Sequence, residues 1–182
     1  MWNNLLIELA RGSAFAGAAI AVCLGGAGSA KGISLAAQQA AGALSEKPEL
    51  FGKLLVMIAL PGTQGFYAFI TAVLMASRSG LISGKLMISP GTGLALLFVG
   101  IATGIIQYLS AIKQGEASAA GISLVARRPE ESGRALLFPA LVETYAVVGL
   151  LAAILMITWL TNAGSPETPS NVLEYLNLPQ GG

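Results

Sequence analysis

Residues 135–164 read ALLFPALVETYAVVGLLAAILMITWLTNAG, thirty residues that carry a single charge, Glu143. A bilayer's hydrocarbon core is roughly 30 Å thick, and about 20 apolar residues of helix cross it. The stretch is long enough to span, and Glu143 lies about ten residues inside either end of a span. Three wholly uncharged stretches have the same character: Gly12 to Ala30, Leu54 to Ser77 and Leu86 to Ile112. Charges gather between them, in Glu46, Lys47, Glu49 and Lys53, in Arg78 and Lys85, and in Arg127, Arg128, Glu130, Glu131 and Arg134. Backbone groups in lipid must find partners within their own segment, which makes each stretch a helix. The period-2 alternation of a membrane barrel is absent. The expected fold is an all-α membrane protein with four transmembrane helices.

Of the 182 residues, 54% are apolar and only 10% charged, against about a quarter charged in a soluble domain. Ten basic residues against nine acidic ones leave a net charge of +1. That balance offers no basic face for nucleic acid, and no such partner is expected. Histidine and Asp are absent, and Cys23 is the sole cysteine. These absences exclude His-ligated metals, Ser–His–Asp triads, an internal disulfide and cysteine-built zinc or iron–sulfur sites. No transition metal is therefore expected. No GxxxxGK[ST] motif occurs, so neither nucleotide binding nor ATP hydrolysis is expected of this chain.

Helices are expected at about 10–44 and 50–78 in a first hairpin, residues 1–81. A second hairpin, residues 82–161, is expected to hold helices at about 88–126 and 130–161. Ser45 with Pro48, and later Pro129, end helices and make the turns. From residue 162 the composition shifts to Gly, Ser, Pro, Thr and Asn, and 162–182 reads as an exposed C-terminal tail. Met1 to Ala10 has no basic region ahead of the apolar stretch and does not read as a signal peptide. The loops near 45–53 and 127–134 hold five basic residues against three on the opposite side (Arg11, Arg78 and Lys85). That bias puts both loops in the cytoplasm and both termini outside.

The hairpins read as fused copies. SAKGISL at 29–35 recurs as SAAGISL at 118–124, 89 residues on, while Pro48-Glu49 with Gly52-Lys53 recurs as Pro129-Glu130 with Gly133-Arg134, 81 residues on. The difference predicts eight residues of extra length between Leu35 and Pro48. Carried further, the offset of 81 sets PGTQ at 61–64 beside VETY at 142–145, so Gly62 stands where the second hairpin has Glu143. Of the 19 residues from Gly12 to Ala30, 14 are Gly, Ala or Ser, with Gly17, Ala21 and Gly25 at four-residue spacing. Small residues so spaced let helix backbones approach closely in lipid. The third helix repeats the device with Gly100 and Gly104, then Ala111, Gly115 and Ala119. Helices 1 and 3 should form a tight inner layer, with the bulkier helices 2 and 4 facing lipid.

A charge in mid-bilayer costs at least about 2.5–3.5 kcal/mol, and such residues mark ion and proton pathways. Thr63, Gln64, Tyr67 and Gln114 fall at a depth similar to Glu143 and offer oxygen atoms. A hard monovalent cation stripped of water needs several oxygen ligands and one carboxylate to cancel its charge. Pro61 has no N–H for the carbonyl of Met57, Pro139 has none for Ala135, and Gly62 lets the backbone deform. The structural alternatives are a protonated Glu143 joining two helices, an interhelical amide bond at Gln114 and a plain kink at Pro61. Lys113 and Glu116, three apart, read as a pair along one helix, and Lys31 as a side chain that snorkels to a polar surface. The two charged loops share the Pro-Glu pattern and read as docking surface.

Taken together, the repeat, GSAKG at 28–32, LPGTQG at 60–65 and VETYA at 142–146 resemble the proteolipid of V-type ATPases. This is the rotor-ring component known as c or K, in its bacterial, duplicated, four-helix form, and the resemblance covers roughly residues 12–161. It implies a ring of identical chains in the cell membrane, with a central-stalk subunit on the loops near 45–53 and 127–134. It also implies a stator membrane subunit whose essential Arg takes over the carboxylate and releases the ion. By resemblance to sodium-type members, Glu143, Gln114, Thr63 and Gln64 would bind Na+ with the backbone carbonyl of Leu60, and Tyr67 would hydrogen-bond the carboxylate. H+ is the alternative coupling ion. From another class, a small multidrug antiporter also works through a lone membrane Glu. A purely structural four-helix protein would explain neither Glu143 nor its polar neighbours.

Overall fold

The computed structural model describes residues 2–84 and 87–163, so nearly all of the tail expected at 162–182 lies outside the described residues. Among the described residues five α-helices follow one another: α1 (Trp2–Glu46), α2 (Phe51–Ala59), α3 (Thr63–Arg78), α4 (Pro90–Arg127) and α5 (Ser132–Ala163). A 3-10 turn at Leu60–Gly62 joins α2 to α3, and the two make one span interrupted at Pro61. Four helical segments of the described residues are long and apolar enough to cross a membrane, arranged as two antiparallel hairpins.

The turns follow from local chemistry. Pro48 and Pro129 each open a 3-10 turn, Pro48–Leu50 and Pro129–Glu131, where a fixed φ and a missing N–H cost nothing. Between the hairpins Gly80 has φ +82°, a left-handed conformation that glycine takes without strain. Ser89 caps α4 by accepting from the Thr92 N–H at 3.2 Å, ahead of Pro90 in the first turn. At the opposite end of the bundle, Lys47 Nζ donates to the Ala126 carbonyl at 2.7 Å and Lys53 Nζ to the Pro129 carbonyl at 3.1 Å. Lysines of the first hairpin thus bond one carbonyl in the last turn of α4 and one in the 3-10 turn that follows it.

α1 begins at Trp2, earlier than the expected start near residue 10. Glu8 and Arg11 pair along the surface of its added turns at 3.1 Å.

The inner layer forms as the small residues predict. α1 and α4 run parallel with backbones in contact: Gly93 lies against Ala10, Gly100 against Gly17 and Gly115 against Gly32. Each of these pairs is 83 residues apart. The register corrects one expectation. SAAGISL at 118–124 is 89 residues beyond SAKGISL at 29–35, so it sits six residues, or about 9 Å, further along the bundle. The packed equivalence stays close to the offset of 81 set by Pro48 and Pro129, and α1 needs no eight-residue insertion.

α3 lies on α1 through Gly25 and Ala68, and α5 lies on α4 through Ala135 and Gly121. Large apolar side chains on α3 and α5, Phe66, Tyr145 and Trp159 among them, are exposed. Two apolar core clusters form, one around Leu54, Met57 and Ile122 near the charged loops, the other around Met75, Leu96 and Ile157 at the far end. A belt of buried polar residues separates them: Ser29, Gln64, Gln107, Gln114 and Ser118.

Candidate ion-binding site

The belt borders the place where α3 and α4 meet α5. Pro61 forces the chain into a 3-10 turn, in which the Leu60 N–H still reaches the Val56 carbonyl and the Thr63 N–H reaches that of Leu60. α3 restarts at Thr63, and Thr63 and Tyr67, four residues apart, share the helix face turned to α5. Its next residue, Gln64, points into the bundle toward α4 and is fully buried.

Glu143 on α5 is half-buried and receives three donors. Tyr67 donates its hydroxyl to Oε1 at 2.5 Å, Gln114 its Nε2 to Oε2 at 2.5 Å, and Thr63 Oγ1 lies 2.9 Å from Oε2. Gln114 Nε2 also donates to the Pro139 carbonyl at 3.0 Å. The carbonyl concerned is that of Pro139 itself, four residues before Glu143. One amide therefore holds both the carboxylate and the helix turn beneath it. Gln64 Nε2 donates to Gln114 Oε1 at 2.6 Å, which ties the two buried amides together.

Thr63 Oγ1 is within 2.9 Å of the Leu60 carbonyl, 3.3 Å of Gln64 Oε1 and 2.9 Å of Glu143 Oε2. A hydroxyl carries one proton, so three acceptors compete for it. Four oxygens therefore gather at Thr63 with one hydroxyl proton between them, an oxygen-rich arrangement suited to a small cation. Glu143 Oε2 also accepts from Gln114, and the Leu60 carbonyl from the Thr63 N–H. Gln114 meets the carboxylate through nitrogen, and its oxygen faces Gln64.

All six residues singled out in the sequence, Leu60, Thr63, Gln64, Tyr67, Gln114 and Glu143, come together here. Lys113 and Glu116 pair at 2.8 Å on an exposed face, and Lys31 is exposed on α1. Two supporting residues escaped the sequence reading. Ser29 Oγ accepts the Gly65 N–H at 2.8 Å and pins α3 to α1; its place in GSAKG was the available signal. Ser110 Oγ lies 3.5 Å from Gln64 Nε2, one turn before Gln114 on α4.

Comparison with known proteins gives concordant results. The family model for the C subunit of ATP synthase matches twice, over residues 16–75 and 91–156, one match in each hairpin. The V-type sodium ATPase subunit K of Enterococcus hirae is 36% identical over 143 residues, which cover 76% of this chain and 86% of that one. The A-type ATP synthase subunit K of Methanocaldococcus jannaschii is 40% identical over 141 residues, 78% of this chain and 60% of that longer one.

Proposed function

The chain belongs to the family of the ATP synthase C subunit, and from that premise we propose that it is a rotor-ring subunit of a V-type ATPase whose cargo is Na+. With its four apolar spans it is a multi-pass membrane protein. The observation that carries the sodium reading is the cluster on Thr63, where Leu60, Gln64 and Glu143 bring three acceptor oxygens to a single hydroxyl proton. A proton carrier needs little beyond the carboxyl group, whereas a cation needs this convergence of oxygens. The sodium-type relative from Enterococcus hirae points the same way.

In this reading Na+ is held by Glu143, Thr63, Gln64 and the Leu60 carbonyl, and Gln114 joins them by turning its amide oxygen to the ion. Tyr67 keeps its hydrogen bond to the other carboxylate oxygen. An ionised Glu143 facing lipid is costly, so a site passes through lipid only when neutralised. Identical chains close into a ring in the cell membrane, and an Arg of the stator subunit displaces the ion from the carboxylate. The loops near 45–53 and 127–134 face the cytoplasm and receive the central stalk, with both termini outside.

The test is labelling of purified membranes with dicyclohexylcarbodiimide, which attacks a protonated carboxyl in an apolar setting, with the adduct located by mass spectrometry. Labelling at Glu143 that NaCl suppresses is the expected result. Labelling indifferent to Na+ makes the ring a proton carrier, and no labelling at Glu143 overturns the ion-site assignment.

A further inference from the structure

Thr103, Gln107, Gln114 and Ser118 follow one another along α4 at intervals of four, seven and four residues, the spacing of one helix face. All four are buried. The row covers about 22 Å of helix and passes through the Glu143 site at Gln114. On either side of that site stands a polar atom with no partner. Gln107 Nε2 donates to the Ala146 carbonyl at 2.9 Å. A carbonyl accepts only a donor, so this bond fixes the amide's orientation and turns Oε1 away from it. Gln107 Oε1 and Ser118 Oγ have no hydrogen-bond partner among the described residues. Both residues are 0% exposed, which puts them beyond reach of a neighbouring copy.

A backbone carbonyl lies in the neighbourhood of each orphan. Glycines flank Gln107: a Cβ on Gly25 would lie 3.5 Å from its Cβ, and one on Gly149 would lie 3.6 Å from its Nε2. The Gln64 carbonyl lies against the same Gly25. On the other side Gly121, three residues beyond Ser118, packs against Ala135 and Met57. The contact with Ala135 is through its carbonyl, the one that Pro139 deprives of a helical N–H, and that with Met57 is through its sulfur. Buried polar atoms that no protein group satisfies are satisfied by ordered water, given a polar surround.

We propose that Gln107 Oε1 and Ser118 Oγ each hold an ordered water, one on either side of Glu143, so that α4 carries a hydrated polar column in which the ion gains and sheds hydration inside the chain. The two water sites stand apart from the identity of the cargo; their role in exchange rests on the ion-site reading. The test is a cryo-electron microscopy map of the assembled ring at a resolution that resolves buried water. Density is expected within hydrogen-bonding distance of both atoms, with Gln107→Leu losing only the first peak and Ser118→Ala only the second. A map that resolves other buried waters but neither of these overturns the proposal, and the wild-type ring alone decides this if a variant fails to assemble.

Exchange is then read from the rate at which Glu143 becomes open to carbodiimide after NaCl is diluted away. The double variant is expected to slow that rate about tenfold while the half-protective Na+ concentration stays within about twofold. An unchanged rate overturns the role in exchange. Absence of Na+ protection in the wild type would instead overturn the sodium reading and leave the water sites standing on the map.

Discussion

Tyr67 gives Glu143 a donor that stays on the carboxylate however the Thr63 proton is shared and whichever way the Gln114 amide is turned. Hydrogen bonds to a charged group are worth about 1.5–3 kcal/mol each. Tyr67→Phe should therefore raise the Na+ concentration that half-protects Glu143 by about tenfold or more, the equivalent of about 1.4 kcal/mol per tenfold. Glu143→Gln keeps the shape of the site, replaces one acceptor oxygen by an amide donor and cannot cancel an ion's charge. Na+ transport by the reconstituted complex should vanish while the ring stays intact on a gel, and transport that survives would sink the assignment. One carboxylate cannot hold a proton and Na+ together, so half-protection should need more Na+ as pH falls. Where the protonated form dominates, the rise approaches about tenfold per pH unit by simple competition, measured by the same labelling titration.

At the scale of elements, the fold rests on glycines where helix backbones touch. A Cβ on Gly100 would run into the Gly17 backbone, and one on Gly115 into that of Gly32, whereas Gly26 and Gly42 have nothing within 4 Å. Overpacking typically costs about 1–3 kcal/mol, and backbone on both sides leaves nothing free to yield. Gly100→Leu and Gly115→Val should lower the ring's melting temperature and its resistance to SDS, and Gly26→Ala should leave both unchanged. The helices and their hairpin order were legible because lipid leaves a segment no alternative to pairing internally. The break at Leu60–Gly62 was legible because proline lacks the N–H. The first turns of α1 were not, since the uncharged stretch that marks the span begins only at Gly12. The repeat's register was misled by a run of matching letters at 29–35 and 118–124 that packing does not respect; depth is set by which glycines meet. Thr63, Gln64, Tyr67 and Gln114 could be read as neighbours of Glu143 because a carboxylate at membrane depth demands polar partners nearby, while the Leu60 carbonyl came only with the family resemblance. Gln107 could not be read, since it stands outside the motifs that mark the site, and only burial exposes its orphan oxygen.

For the whole molecule, Gly62 in the first hairpin and Glu143 in the second leave one carboxylate at membrane depth per four spans. A ring of such chains carries half as many ions per helix as one with a carboxylate in every hairpin. Purified in mild detergent, the assembly should run as a large species on SDS gels and dissociate to a band near the chain's own mass on harsher treatment; a monomer under all conditions would count against the ring. The bonds from Lys47 to Ala126 and from Lys53 to Pro129 bear on how such a body responds to force. They join the first hairpin to the second at the end where both chain reversals lie, far from the segment that connects the hairpins covalently. Each chain is therefore fastened at both ends of its length, by peptide bonds at one and by lysine at the other. A twisting load applied to either reversal is borne by both hairpins together, so the chain resists shear as a single stave rather than yielding as two.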